Sequence, residues 1–228
     1  QFMLGTMFND GFGVNKNTKE AARWWRLSAE QGNVKGQVSL GISYYSGKGV
    51  SQSYKEAIKW YRLAAQQGDA LAQVKLGIMY ETGDGIAQDY KEAIKYYRLA
   101  AEQGDAQGQL YLGAMYHSGK EVQLDYQEAA RLWKLAAEQG DAGAQSLLGF
   151  IYDIGWTGVP GDPKESFKWY KLAAEQGDAG AQYETGYRYY LGTGVRANYK
   201  QALHWGTLAE SQGHKFEEEY LTSVKSAI

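Results

Sequence analysis

The 228-residue sequence predicts an all-α solenoid of about six 36-residue helix–turn–helix repeats, on three observations. A string of the type Glu-Gln-Gly ends blocks at Gly32, Gly68, Gly104, Gly140, Gly177 and Gly213, at spacings of 36, 36, 36, 37 and 36 residues. Within each block the apolar residues follow the period of a helix rather than the alternation of a strand. Glycines recur at four fixed places per block, which accounts for 23 of the 29 and makes them architectural rather than a sign of disorder.

In the block Asp69 to Gly104, a first helix is expected from Ala70 to about Glu81 and a second from Tyr90 to about Gln103. Asp69, like Asp105, Asp141 and Asp178, is an N-cap for the first helix. That helix places Gln73, Leu76, Gly77 and Tyr80 at i, i+3, i+4 and i+7, on one face. Gly77 and its equivalents Gly5, Gly41, Gly113, Gly149 and Gly186 stand mid-helix, where glycine costs about 1 kcal/mol against alanine. Close backbone approach of a neighbouring helix is the expected compensation. The Gly83-x-Gly85 turn supplies positive φ.

The second helix opens on a capping box in every block: Asn17/Glu20, Ser53/Glu56, Asp89/Glu92, Asp125/Glu128, Asp162/Glu165 and Asn198/Gln201. Pro163 takes the first helical position in the fifth, where its missing donor is harmless. The helix repeats Tyr90, Ala93, Tyr96/Tyr97 and Ala100/Ala101, and Gly104 stops it. One such unit cannot bury both faces, so neighbouring units must stack. Ala and Gly on the first helix, against Trp and Tyr on the second, make each unit a wedge. The stack should therefore curve with the first helices inside.

The run Ala-Leu-Ala-Gln-Val-Lys-Leu-Gly-Ile-Met-Tyr-Glu-Thr-Gly-Asp-Gly-Ile at 70–86, followed by Lys-Glu-Ala-Ile-Lys-Tyr-Tyr-Arg-Leu-Ala-Ala-Glu-Gln-Gly at 91–104, resembles the Sel-one-like repeat (SLR) family, relatives of the tetratricopeptide repeats. The likeness extends to Gly213 and divides the chain into repeats 1–32 (partial), 33–68, 69–104, 105–140, 141–177 and 178–213. It implies a right-handed α-α superhelical solenoid acting as a non-enzymatic adaptor in protein complexes. For bacterial relatives it implies export, to the periplasm or beyond, and a role in envelope assembly, signalling or host contact. A cell-wall- or antibiotic-directed hydrolase, as claimed for some relatives, is the alternative it brings.

Several residues depart from the pattern. Glu121 replaces the second turn glycine of the fourth repeat, so the Gly119–Val122 loop is expected to leave the common path. The fifth repeat has an extra residue in Gly155-Trp156-Thr157-Gly158, where Trp156 is expected to be exposed. In the sixth, Thr185 replaces the recurring Leu and Gly206 the second aromatic. Residues 214–228 place Phe216, Tyr220 and Val224 at i, i+4 and i+8, as in a capping helix. Gln1 aligns with Gln37 and Gln73 inside a first helix, so upstream sequence, with room for a signal peptide, is expected.

Function classes narrow accordingly. With 24 basic and 26 acidic residues and a net charge of −2, there is no basic footprint for nucleic acid or anionic membranes. No apolar run approaches the roughly 18 residues of a membrane span, and the absence of cysteine excludes disulfides and thiolate metal sites. Glu81, His117 and Asp153 are in register in successive repeats, but helix axes lie about 8–10 Å apart, too far for shared ligation. No catalytic, cofactor or metal site is expected. Aromatics repeating in register, such as Tyr44, Tyr80, Trp60 and Trp169, read as packing.

The positions that vary from copy to copy are those freed from packing. On the first helices they form a stripe facing the concave side. The candidate partner-binding residues on or beside it are Lys75, Ile78, Tyr111, Leu147, Phe150, Ile154, Tyr183, Tyr187, Tyr190 and Leu191. The partner class expected is a protein or peptide, bound by a chain monomeric on its own. The competing expectation is that the sixth repeat packs beneath the tail helix.

Overall fold

The computed structural model describes residues 1–156, 158–214 and 224. Among these are twelve α-helices: α1 (Phe2–Asp10), α2 (Thr18–Glu30), α3 (Val34–Ser46), α4 (Tyr54–Gln66), α5 (Ala70–Thr82), α6 (Tyr90–Glu102), α7 (Ala106–Ser118), α8 (Tyr126–Glu138), α9 (Ala142–Ile154), α10 (Pro163–Glu175), α11 (Ala179–Leu191) and α12 (Tyr199–Ser211). The fold class is an all-α repeat solenoid. Two compact units divide it, Gln1–Gly108 and Gln109–Ile228. Within each, consecutive helices pack both as hairpins (α3 on α4, α9 on α10) and between hairpins (α4 on α5, α10 on α11).

The odd-numbered helices start as expected. Asp69 accepts from Ala72 N–H at 2.8 Å, Asp141 from Ala144 N–H at 2.8 Å and Asp178 from Ala181 N–H at 2.7 Å. The even-numbered helices show only half of a capping box. Asp89 accepts from Glu92 N–H at 3.1 Å, but the cap's own N–H donates to Tyr80 O at 2.9 Å, at the end of the preceding helix. The same bond recurs from Asn17 to Phe8 O and from Asn198 to Tyr189 O, both 2.8 Å. The carboxylate at the third position therefore has no cap donor to reach. It pairs along its own helix instead, as in Glu92–Lys95 at 3.0 Å and Glu128–Arg131 at 2.7 Å. Such exposed pairs contribute about 0–1 kcal/mol.

The mid-helix glycines have a different reason from the one expected. A Cβ at Gly77 would lie 2.4 Å from Tyr97 Cε1, and one at Gly41 2.5 Å from Tyr61 Cε1. Trp133 stands over Gly113 and Tyr170 over Gly149 in the same way. Each of these four glycines is thus the socket for the second aromatic of its own hairpin, with backbone also close at Gly113, where Ala129 O would lie 3.2 Å from the Cβ. Backbone approach occurs five residues earlier, where a Cβ at Gly36 would meet Ala29 N at 3.0 Å and one at Gly108 would meet Ala101 N at 2.7 Å. Alanine takes that place at Ala72, Ala144 and Ala181, all buried.

A buried amide ladder runs beside the sockets. Gln103 Nε2 donates to Gln73 Oε1 at 2.8 Å, and Gln73 Nε2 donates to Ala65 O in the preceding hairpin at 3.5 Å. In the second unit, Gln176 Nε2 donates to Gln145 Oε1 at 2.8 Å and Gln145 to Ala137 O at 3.1 Å. The last letter pair of the Glu-Gln-Gly string therefore has two jobs, a left-handed stop (Gly104, φ +83°) and a polar rung.

Two expected departures do not occur. Glu121 keeps the left-handed conformation of the glycine it replaces, with φ +54° against +71° at Gly85. The turn must still bring Asp125 N–H to Tyr116 O, at 3.1 Å, so the strain is borne rather than relieved. Trp156 is half-buried, not displayed. Its extra-residue loop closes through paired 2.7 Å bonds with Val159, and its ring lies 4.9 Å from His117 and from Tyr126 and stacks 6.1 Å from Trp133. The capping helix expected at 214–228, with Phe216 and Tyr220, lies outside the described residues apart from His214 and Val224. Val224 is fully buried against Ala202 and Ala209.

Candidate functional site

With Leu76, Gly77 and Met79 and their equivalents turned into packing, the opposite face of each odd-numbered helix is left to solvent. On α9 and α11 that face is apolar: Phe150, Ile154, Tyr187 and Leu191 are 48%, 54%, 39% and 53% exposed. Tyr111, Leu147, Lys75 and Ile78 are half-buried on the same register. Tyr183 and Tyr190 are shared, since both pack against the cluster of Ala202, Ala209 and Val224. Packing against Val224 agrees with the tail-packing expectation for those two tyrosines, and the rest of the tail lies outside the described residues.

The in-register aromatics are buried or half-buried, as their repetition predicts; Tyr80 stacks on Tyr96 at 5.8 Å, and Arg62 donates to the Tyr80 hydroxyl at 2.9 Å. Glu81, His117 and Asp153, though in register, are each engaged separately. Glu81 accepts from the Tyr97 hydroxyl at 2.6 Å, His117 lies in the Trp156 aromatic cluster, and Asp153 pairs with Arg188. Among the described residues, no three His, Asp or Glu side chains come together as metal ligands. No described helix is long and apolar enough to cross a membrane.

Arg188 is the functional candidate that sequence reasoning missed. It occupies the core register filled by Met79, Met115 and Ile151 in earlier repeats, and it is equally buried, at 3% exposed. A guanidinium there must be paired to be tolerated. Arg188 Nη2 lies 2.7 Å from Asp153, Nη1 contacts Glu184, and the guanidinium sits 4.5 Å over the Tyr170 ring. Burial foremost, then the Glu184 charge, pushes the Tyr170 hydroxyl well above the usual tyrosine range. Arg188 Nε and the buried Thr185 hydroxyl have no hydrogen-bond partner among the described residues. A cavity of about 370 Å³ opens over this polar island, lined by Asp153, Tyr183, Glu184, Tyr187, Arg188, Leu191 and Thr193. The visible signal was an arginine in a register otherwise held by methionine and isoleucine.

The sequence model of the Sel1 repeat matches residues 1–33, 34–69, 70–105, 106–141, 142–178 and 179–214. Among solved structures, the chain is similar to a Sel1 repeat protein from Oxalobacter formigenes, with 36% identity over 95% of this chain and 84% of that one and a TM-score of 0.83. It is also similar to a protective antigen present in uropathogenic Escherichia coli strains and displaying an SLR fold, at 36% identity and a TM-score of 0.78. All of this chain is covered there but only 49% of the other, so it spans about half of that protein's length. A Sel1 repeat protein from Klebsiella pneumoniae subsp. pneumoniae is 25% identical over 90% of this chain and 96% of its own, with a TM-score of 0.57. A search of curated proteins finds no match.

Proposed function

Because the chain belongs to the Sel1 repeat family, whose members generally serve as non-enzymatic protein-interaction scaffolds, we propose that it binds a protein or peptide partner along the solvent faces of α7, α9 and α11. The observation that carries this reading is the exposure of Phe150, Ile154, Tyr187 and Leu191 on helices whose other face is fully used in packing. Solvated faces of repeat helices have no structural need for side chains of this size, and grouped exposed apolar residues mark interaction sites. Tyr111, Leu147, Tyr183 and Tyr190 flank the patch, and Lys75 and Ile78 hold the same register on α5. A role in envelope assembly, signalling or host contact is the finer part of the proposal and rests on family likeness.

The test is selection of a random peptide library on the intact chain, followed by affinity measurements with Phe150→Ala and Tyr187→Ala. Each substitution is expected to weaken binding by about 2 kcal/mol, roughly 30-fold. Both should unfold at denaturant concentrations close to the parent's, whereas Leu76→Ala, a core deletion, costs about 2–5 kcal/mol. Unchanged affinity, or unfolding as ready as that of Leu76→Ala, overturns the assignment.

A further inference from the structure

The cavity over Arg188 adds a chemical preference to that docking surface. Its floor carries one guanidinium against two carboxylates, Asp153 and Glu184, leaving one negative charge in excess. The terminal nitrogens of Arg188 are already taken by these two groups, which disfavours an anionic ligand. The carboxylates, by contrast, stay 40% and 35% exposed, each with lone pairs beyond the one given to Arg188. Above them stand the rings of Tyr183 and Tyr187, 6.3 Å apart and within 15° of parallel. Aromatic faces beside an excess of carboxylate select a cation.

We propose that this cavity receives a lysine or arginine side chain of the partner, laid against the rings of Tyr183 and Tyr187 and over Glu184 and Asp153. The inference rests on the scaffold reading for its partner, but the pocket chemistry is separable from it. An uncharged side chain of the same length would leave both carboxylates without a new donor. The volume, about 370 Å³, is at the small end of ligand pockets and suits one side chain rather than a folded element.

Blocked pentapeptides with one central lysine, arginine, norleucine or glutamate in a glycine background serve as probes of the intact chain, read by amide shifts in NMR. Saturable shifts at Tyr183, Glu184 and Tyr187 are expected with the lysine and arginine peptides, weaker at high salt. The norleucine and glutamate peptides should bind at least roughly tenfold less tightly. Glu184→Gln should abolish the preference; because it also loosens Arg188, Tyr187→Leu provides a second variant that leaves the ion cluster intact and is expected to cut the basic-peptide affinity about fivefold or more. No saturable shift with either basic peptide, or equal binding of the norleucine peptide, overturns the proposal. Library peptides that depend on Phe150 but show no fixed basic residue, and that bind Glu184→Gln normally, also overturn it while leaving the scaffold reading intact. Titration of Glu184 by the lysine peptide with no peptide ever selected on Phe150 sustains the pocket and sinks the scaffold reading.

Discussion

The same substitution, glycine to alanine, should have opposite signs at two helical positions of this chain. At Gly77 the added methyl would lie 2.4 Å from Tyr97 Cε1 and 2.6 Å from Cδ1, closer than carbon atoms approach. Tyr97 has nowhere to go: it is fully buried, and its hydroxyl donates to Glu81 at 2.6 Å. Overpacking of this kind costs about 1–3 kcal/mol, and tipping the ring away would also sacrifice a charge-assisted hydrogen bond of about 1.5–3 kcal/mol. Against this stands the roughly 1 kcal/mol by which alanine favours a helix over glycine. Gly77→Ala is therefore expected to destabilise by up to about 2 kcal/mol net if the ring stays in place, and by more if it tips away. At Gly180 the only neighbour within 4 Å among the described residues would be Asp178 Oδ1, at 3.5 Å, so the propensity gain stands alone and Gly180→Ala should stabilise by up to about 1 kcal/mol. Urea unfolding of both variants measures the signs, and hydrogen exchange should place the Gly77→Ala loss in α5 and α6. A Tyr97→Leu background should recover at least about 1 kcal/mol of it as coupling energy. If Gly77→Ala stabilises as much as Gly180→Ala, the ring is not seated on that glycine and the socket explanation fails.

Glu121→Gly should stabilise by about 1 kcal/mol in thermal or urea unfolding, since it frees a residue held at φ +54°; a loss would mean the glutamate side chain outweighs its backbone strain. Gln103→Ala, at an exposed position, should nevertheless cost about 1–3 kcal/mol, because it strips the buried Gln73 amide oxygen of its 2.8 Å donor. Asp89→Ala should cost about 1 kcal/mol by removing the α6 cap, while Glu92→Ala stays within about 0.5 kcal/mol beyond its exposed pair with Lys95. Equal losses for the two, measured by urea unfolding, would restore the reciprocal capping box.

How far the sequence reached depends on the distance over which each feature is decided. The repeat period, the helix spans, the Asp69-type caps and the Gly104 stop were legible because each is set by residues within about four positions. A cap oxygen meets an N–H three residues away, and a positive φ belongs to one residue alone. Thr185 and Glu121 were visible as departures for the same reason, though not their outcome: whether the turn or the residue yields depends on the packing around both.

What only the tertiary structure decided is what meets what through space. Gly77 announced a close neighbour, but that the neighbour is the Tyr97 ring depends on how α5 and α6 pack. The donor that displaced the capping box, Asp89 N–H on Tyr80 O, spans a turn, and the Gln103–Gln73 rung spans thirty residues. Trp156 looked free because nothing local claims it, and it packs on His117, Tyr126 and Trp133 of the preceding hairpin. The exposed stripe of Phe150, Ile154, Tyr187 and Leu191 could be read by subtraction, since solvent-facing positions follow from periodicity. Arg188 could not, because a charge in a core register is tolerable only through partners on other turns and helices, and those are brought within reach by folding alone.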